Sequence, residues 1–323
     1  MCLRGIIRAI LALFSWLLFR IIDTAPFRAL SRVLSRWTRL KNPRVMWAQG
    51  QVFYVQSIDR LMAVLLHRFS LFERHELDMV RAMVKPGMVC LDIGANMGIY
   101  TFLLAELVGE DGRVHAYEPA PENALLLGMA VKANHAGNVV VEQKAVADTD
   151  GTIALHLCEE HTGDHSIFAR NDSRKTVDVQ KVAIDEEIKR NTPRHKVWAK
   201  SRATASAQRQ QASAHASGRV DFIKMDIQGA EGLALQGMRE TCKRNNDLVL
   251  LMEFSPKLLR ACGTDPASVL MRLEQQGMRL YEIQGASLVR ASPSHLLSRP
   301  EGAKDANIIA CRRLPKELGH LVK

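Results

Sequence analysis

Two clusters of residues in this 323-residue chain have types and spacings that suit chemistry. The first is Leu91-Asp92-Ile93-Gly94-Ala95-Asn96-Met97-Gly98, directly after the apolar run Met88-Val89-Cys90. Small residues behind a strand let backbone approach a ligand, and the N–H groups of a following helix favour negative or polar groups. Glu118 ends the next apolar run, Arg113 to Tyr117. A carboxylate at that place can accept hydrogen bonds from both hydroxyls of a ribose. Gly94, Ala95, Asn96, Gly98 and Glu118 thus predict a nucleoside-type pocket. Asp92 narrows the ligand, because a carboxylate at the lip repels a pyrophosphate and suits a cation. S-adenosylmethionine, with its cationic amino acid and sulfonium, fits better than a nicotinamide dinucleotide, and no G-x-G-x-x-G run is present. Asp92 could instead only cap the loop.

The second cluster is Asp221-Phe222-Ile223-Lys224-Met225-Asp226-Ile227-Gln228-Gly229-Ala230-Glu231. It reads as a strand that leaves Asp226 at its carboxyl end and Glu231 at the start of the next helix. Ligands of open α/β sheets sit at that edge. Glu231 could instead only offset the helix dipole. His165, in Gly163-Asp164-His165-Ser166, reads as a surface-loop histidine that could also overhang the site. Glu253 could contact a second substrate or cap a turn.

Positioning these clusters requires a sheet. Apolar runs predict strands at 88–93, 113–118, 139–146, 220–227, 248–254, 278–283 and 306–312. Helical spacing predicts helices near 98–108, 122–135, 230–244 and 265–276. Such alternation implies a mostly parallel seven-stranded sheet with helices on both faces, a Rossmann-like α/β fold. A hairpin-like pair, 152–158 and 177–184, interrupts it. The catalytic domain is read as 85–312, preceded by a helical lead-in over 46–84 and followed by a tail at 313–323. Residues 190–218 are small, polar and aperiodic around Ala203 to Ala214, the composition of a disordered insertion.

Residues 1–45 differ from the rest. Ala9 to Phe19 is apolar but half the length of a membrane span. Phe27, Leu30, Val33, Leu34, Trp37 and Leu40 recur at helical spacing, with Arg28, Arg32, Arg36 and Arg39 on the other face. A basic amphipathic helix of this kind suits an anionic membrane surface or a partner protein. The net charge of +10 is concentrated here and in 186–219, which leaves the remainder acidic. A nucleic-acid partner is therefore not expected. The six cysteines show no metal-ligand spacing, so no metal is expected, and a reducing, cytoplasmic setting follows as the default.

Together these motifs resemble the FkbM-type methyltransferases, a branch of the class I S-adenosylmethionine-dependent enzymes. The resemblance runs over about 80–312 and rests on Leu91 to Thr101, Ala116-Tyr117-Glu118-Pro119, Phe222 to Glu231, Leu251-Met252-Glu253-Phe254-Ser255-Pro256 and Asn307-Ile308-Ile309-Ala310. It implies methyl transfer to an oxygen, often a hydroxyl of a sugar, glycan or natural product. A base would help a hydroxyl attack, with Asp226 the first candidate and Glu231 the second. The family commonly has Asp-Val-Glu-Gly-x-Glu, and here the first Glu is Gln228. That change keeps open a methyltransferase-like binding protein without catalysis, beside the oxidoreductase alternative.

Overall fold

The computed structural model describes residues 44–48, 50–56, 73–158, 162–169, 174–191, 218–299 and 305–323. The basic amphipathic segment and most of the 190–218 stretch lie outside them. The chain opens with β1 (Arg44–Ala48) and β2 (Gln51–Val55), an antiparallel pair turned at Gly50. This corrects the helical lead-in expected from residue 46. Val52, Phe53 and Val55 are β-formers that bury themselves, and Asn134 holds the strand by accepting from Val52 N and donating to Val52 O, both at 2.7 Å. Phe53 meets Phe102 edge to face at 5.3 Å, a geometry that adds about 0.5–1.5 kcal/mol beyond burial. Among the described residues the helical lead-in appears as α1 (Arg74–Met83), which buries Leu77, Met79, Val80 and Met83.

The alternation then proceeds as read: β3 (Val89–Ile93), α2 (Ile99–Val108), β4 (Arg113–Tyr117), α3 (Pro121–Ala133) and β5 (Val139–Glu142). β6 (Ala145–Val146) leaves the main sheet to pair with the hairpin of β7 (Gly151–Leu157) and β8 (Lys175–Val182), forming a small three-stranded sheet. After α4 (Ile184–Asn191) come β9 (Phe222–Met225), α5 (Glu231–Gly237), α6 (Arg239–Arg244) and β10 (Val249–Phe254). The chain continues through α7 (Pro256–Ala261), α8 (Pro266–Gln275), β11 (Arg279–Gln284), β12 (Ser287–Ala291), α9 (Pro293–Leu297) and β13 (Ala306–Cys311).

The main sheet runs β12-β11-β13-β10-β9-β3-β4-β5. Its seven expected strands are present, and β12 adds an eighth through a hairpin at Gly285. β13 runs against both its neighbours, β10 and β11, and β12 runs against β11. Period-two alternation divides the core into two layers. Cys90, Phe222 and Leu251 face α1 and α2, while Leu91, Ile223 and Leu250 face α5, α7 and α8. The expected tail is part of the core, since Leu318 is fully buried and Lys323 N donates to Leu288 O. None of the five described cysteines forms a disulfide, and burial pushes the thiols of Cys242 and Cys311 up to about 12.

Candidate functional site

β3 and β9 are adjacent parallel strands, and their carboxyl ends meet at the cavity. The turn after β3 is built from left-handed residues: Gly94 at φ 84°, Asn96 at 48° and Gly98 at 94°. Gly94 and Ala95 both donate their N–H to Tyr117 O, at 2.9 and 3.0 Å. A Cβ on Gly94 would lie 2.0 Å from Asp226 O, so only glycine lets the two strand ends touch. Gly98 has another job. A Cβ there would strike Leu127 and Phe102, and Gly98 does not line the cavity. Its expected role as a ligand contact is thereby replaced by helix packing.

Glu118 stands immediately after β4, almost fully buried. One carboxylate oxygen accepts from Asn96 N at 2.8 Å, and the other from Ala120 N at 3.0 Å and Asn123 Nδ2 at 3.4 Å. It therefore locks the glycine turn to the next crossover while still facing the cavity. Burial raises its pKa to about 7 against these donors. Asp92 is wholly buried in the cavity wall. Its Oδ2 accepts from Thr101 Oγ1 at 2.6 Å, and Oδ1 has no partner among the described residues. Burial likewise raises its pKa, with Lys224 opposing.

Asp226 follows β9 with both oxygens engaged: Lys224 Nζ lies 3.3 Å from Oδ2, and Gln228 Nε2 3.1 Å from Oδ1. Gln228 adopts a left-handed φ of 55° and also donates to Glu253 Oε2 at 3.4 Å. The amide thus bridges two carboxylates. A glutamate in its place would crowd a third acidic group against them. Burial, then Asp226, pushes the Glu253 carboxyl far above the usual range.

Glu231 does not line the cavity. Its Oε1 accepts from Ile227 N at 3.1 Å and Gly229 N at 3.3 Å, tying down the turn that presents Asp226. This geometry replaces the expected role of second base by that of a loop holder. Burial raises its pKa to about 7.

Several residues of the site went unassigned in the sequence. Lys224 and Tyr100 line the cavity, as does Glu73, which accepts from Tyr100 OH at 2.5 Å. Lys224 had a signal, a lysine inside the apolar strand Phe222-Ile223-Lys224-Met225. Glu73 had none, since it arrives from beyond the sheet. Thr162 reaches from the hairpin loop to donate to Asn96 Oδ1 at 3.2 Å. His165 lines the cavity rather than sitting on an outer loop, and its Nδ1 accepts from Cys158 N at 3.0 Å. Ala145, Val146, Leu155 and Ile167 complete an apolar wall beyond Glu118, and the cavity measures about 240 Å³.

One titration follows directly. An unfolded Glu118 loses its proton near 4.5, whereas the folded group keeps it to about 7. The folded state binds more protons between these values, so stability is fully present below 4.5 and falls as pH rises to about 7. Glu118→Gln removes this dependence. The wild type is expected to lose on the order of 3 kcal/mol relative to that variant across the window, read from paired thermal melts. A difference independent of pH would remove the raised carboxyl from the protein.

A parallel core of five strands, with a reversed strand beside it and a glycine turn faced by an acid after the next strand, makes a Rossmann-like α/β fold. A sequence model described as the methyltransferase FkbM domain matches residues 203–280, which span β9 through the start of β11 and include Asp226 to Glu231. The chain thus carries an FkbM-type methyltransferase signature over that segment, as its motifs led us to expect. The glycine turn and Glu118 lie outside the match. No match was found among curated protein sequences.

Similar solved structures include a putative rRNA-methylase from Clostridium thermocellum, 9% identical, covering 73% of this chain and 92% of that one at a TM-score of 0.41. A SAM-dependent methyltransferase from Aquifex aeolicus is 15% identical, covering 78% and 95% at 0.38. A SAM-dependent O-methyltransferase from Thermotoga maritima is 14% identical, covering 84% and 80% at 0.36. Identities this low say nothing about chemistry or substrate.

Proposed function

We propose that this chain is an O-methyltransferase that uses S-adenosylmethionine and acts on a hydroxyl of a sugar, glycan or natural product. The observation that carries the cofactor reading is the unpartnered, fully buried Oδ1 of Asp92 in the cavity wall. A buried carboxylate oxygen without a donor is costly, and a ligand ammonium would complete it. The rest of the cavity fits the same molecule. Glu118 would take the ribose hydroxyls, Gly94 and Ala95 would pass beneath it, and the Ala145, Val146, Leu155 and Ile167 wall would pack a flat base.

When bound, S-adenosylmethionine supplies an electrophilic methyl group. The protein's part is alignment and proton handling. Asp226 stands at the carboxyl edge of β9 and lines the cavity beside Gln228. It would accept the hydrogen bond of the incoming hydroxyl and draw off its proton as the oxygen attacks. Glu231 keeps the turn in place, and Gln228 holds Asp226 Oδ1 without adding charge. The acceptor reading is supported by the charge balance along the sequence, which is mildly acidic outside 1–50 and 186–219.

Glu118→Ala tests the cofactor site. The loss of charge-assisted hydrogen bonds should weaken S-adenosylhomocysteine binding by about 1.5–3 kcal/mol, roughly 10- to 150-fold. Unchanged affinity in calorimetry would remove Glu118 from the site. Attachment of residues 1–40 to the cytoplasmic face of a membrane belongs to the same proposal. Among the described residues no helix is long and apolar enough to cross a membrane, and the support is the Arg28/Arg32/Arg36/Arg39 face. Replacing these four by Gln should abolish co-sedimentation with anionic vesicles at low salt, at about 1 kcal/mol per charge. Wild-type protein that stays in the supernatant would contradict attachment.

A further inference from the structure

The cavity wall holds a lysine that the proposed chemistry does not use. Lys224 lies in the middle of β9, flanked by β3 and β10, with its side chain about nine-tenths buried. Its register partner on β3 is Asp92, so both side chains project to the same face of the sheet. The ammonium lies 3.3 Å from Asp226 Oδ2 and 4.9 Å from the centre of the Tyr100 ring, a cation–π distance. Acidic groups face it from every side: Asp92 from β3, Asp226 from its own strand end, Glu253 from β10, and Glu73 from the start of α1, with the Tyr100 hydroxyl from α2.

We propose that Lys224 is a positioning residue: its buried ammonium, paired with Asp226 and next to Asp92 in the strand register, is the fixed counter-charge that favours the ionised form of Asp92 and keeps both carboxylates aimed at the cavity. This rests on the reading of the cavity as an S-adenosylmethionine site. A buried carboxylate that loses its cation meets the full cost of desolvation and takes up a proton instead. Asp92 already has one oxygen without a donor, so it is the group with least to replace the ammonium. With Lys224 in place Asp92 meets an incoming ligand ammonium already charged, and no proton has to leave first. Burial raises the carboxyls of Asp92 and Glu73, and Lys224 draws both down against it; burial in turn disfavours the Lys224 ammonium, and Asp226 and then Asp92 hold it protonated.

A lysine that only filled space or braced the fold would change affinity alike at all pH values. A counter-charge makes a different mark. Isothermal titration with S-adenosylhomocysteine, run at pH 6, 7 and 8 in buffers of differing ionisation enthalpy, counts the protons released on binding. Wild type releases the fraction that Glu118 gives up. Lys224→Met should release up to one more near neutral pH, because Asp92 must now ionise as the ligand binds. Its affinity should fall about tenfold or more at pH 6 and recover toward pH 8. Lys224→Arg, which keeps the cation, should restore the wild-type proton count.

If Lys224→Met does not fold, Lys224→Met/Asp226→Asn removes the second unpaired charge and leaves Asp92 without its cation, so the same extra proton is expected. A wild-type count and pH profile in the variant without the cation would overturn the role of Lys224. An extra proton in Lys224→Arg as well would do the same. Wild type that binds no S-adenosylhomocysteine would overturn the cofactor reading itself.

Discussion

Gly94→Ala is expected to abolish cofactor binding and to lower the melting temperature by on the order of 10 °C. Two costs add. At φ 84° a side chain occupies the left-handed region, at about 1–2 kcal/mol. The new Cβ would also lie 2.0 Å from Asp226 O and 3.2 Å from Ile227 Cγ2. Backbone cannot rotate away as a long side chain can, so β3 and β9 must part, and overpacking of this kind costs about 1–3 kcal/mol more. At about 2–4 °C per kcal/mol for a domain of this size, the sum gives the shift stated. The parting also disturbs the Asn96 N–H that anchors Glu118 and the turn that presents Asp226. Loss of both halves of the site therefore follows from one methyl group. Thermal melts and titration with S-adenosylhomocysteine check it, and wild-type affinity in Gly94→Ala would mean that the strand ends do not meet as described.

The second large effect is on turnover. Asp226→Asn should lower methyl transfer by about 10²–10⁴, the range for loss of a general base, while cofactor affinity stays within a few-fold of wild type. The amide is nearly isosteric and can still pair with Gln228, but it cannot take a proton. Transfer of a tritiated methyl group into cognate cell extract supplies the assay while the acceptor is unidentified. The companion Glu231→Gln should act differently. Its side chain holds Ile227 N and Gly229 N and does not line the cavity, so its defect should appear as lost stability with a smaller loss of rate. A larger rate loss in Glu231→Gln than in Asp226→Asn would exchange the two roles.

Much of this arrangement was legible in the sequence because it follows from local patterns. Apolar runs located the seven main strands, and small residues after Ile93 located the turn. Glu118 was found from its place at the end of a run. What escaped depends on tertiary contact. Val52 to Val55 sits beside a helical pattern and becomes a strand where β1 pairs with it and α3 and Phe102 receive it. Glu231 looked like an acid at a reactive edge, and the backbone N–H groups that claim it appear only once the turn is folded. Gly98 shares a motif with Gly94, yet the first meets side chains and the second meets backbone. Glu73 is carried to the cavity by α1, through no spacing that a linear pattern records. The change to Gln228, which raised the question of lost catalysis, acquires a structural reading as a neutral bridge between Asp226 and Glu253.

The most direct measurement is isothermal titration of the full-length wild-type protein with S-adenosylhomocysteine and, in parallel, with NAD. S-adenosylhomocysteine should bind saturably at one site per chain, and NAD should give no heat beyond dilution, because Asp92 opposes a pyrophosphate at the turn. Saturable binding of NAD with none of S-adenosylhomocysteine would contradict the assignment of this cavity as a methyl-donor site.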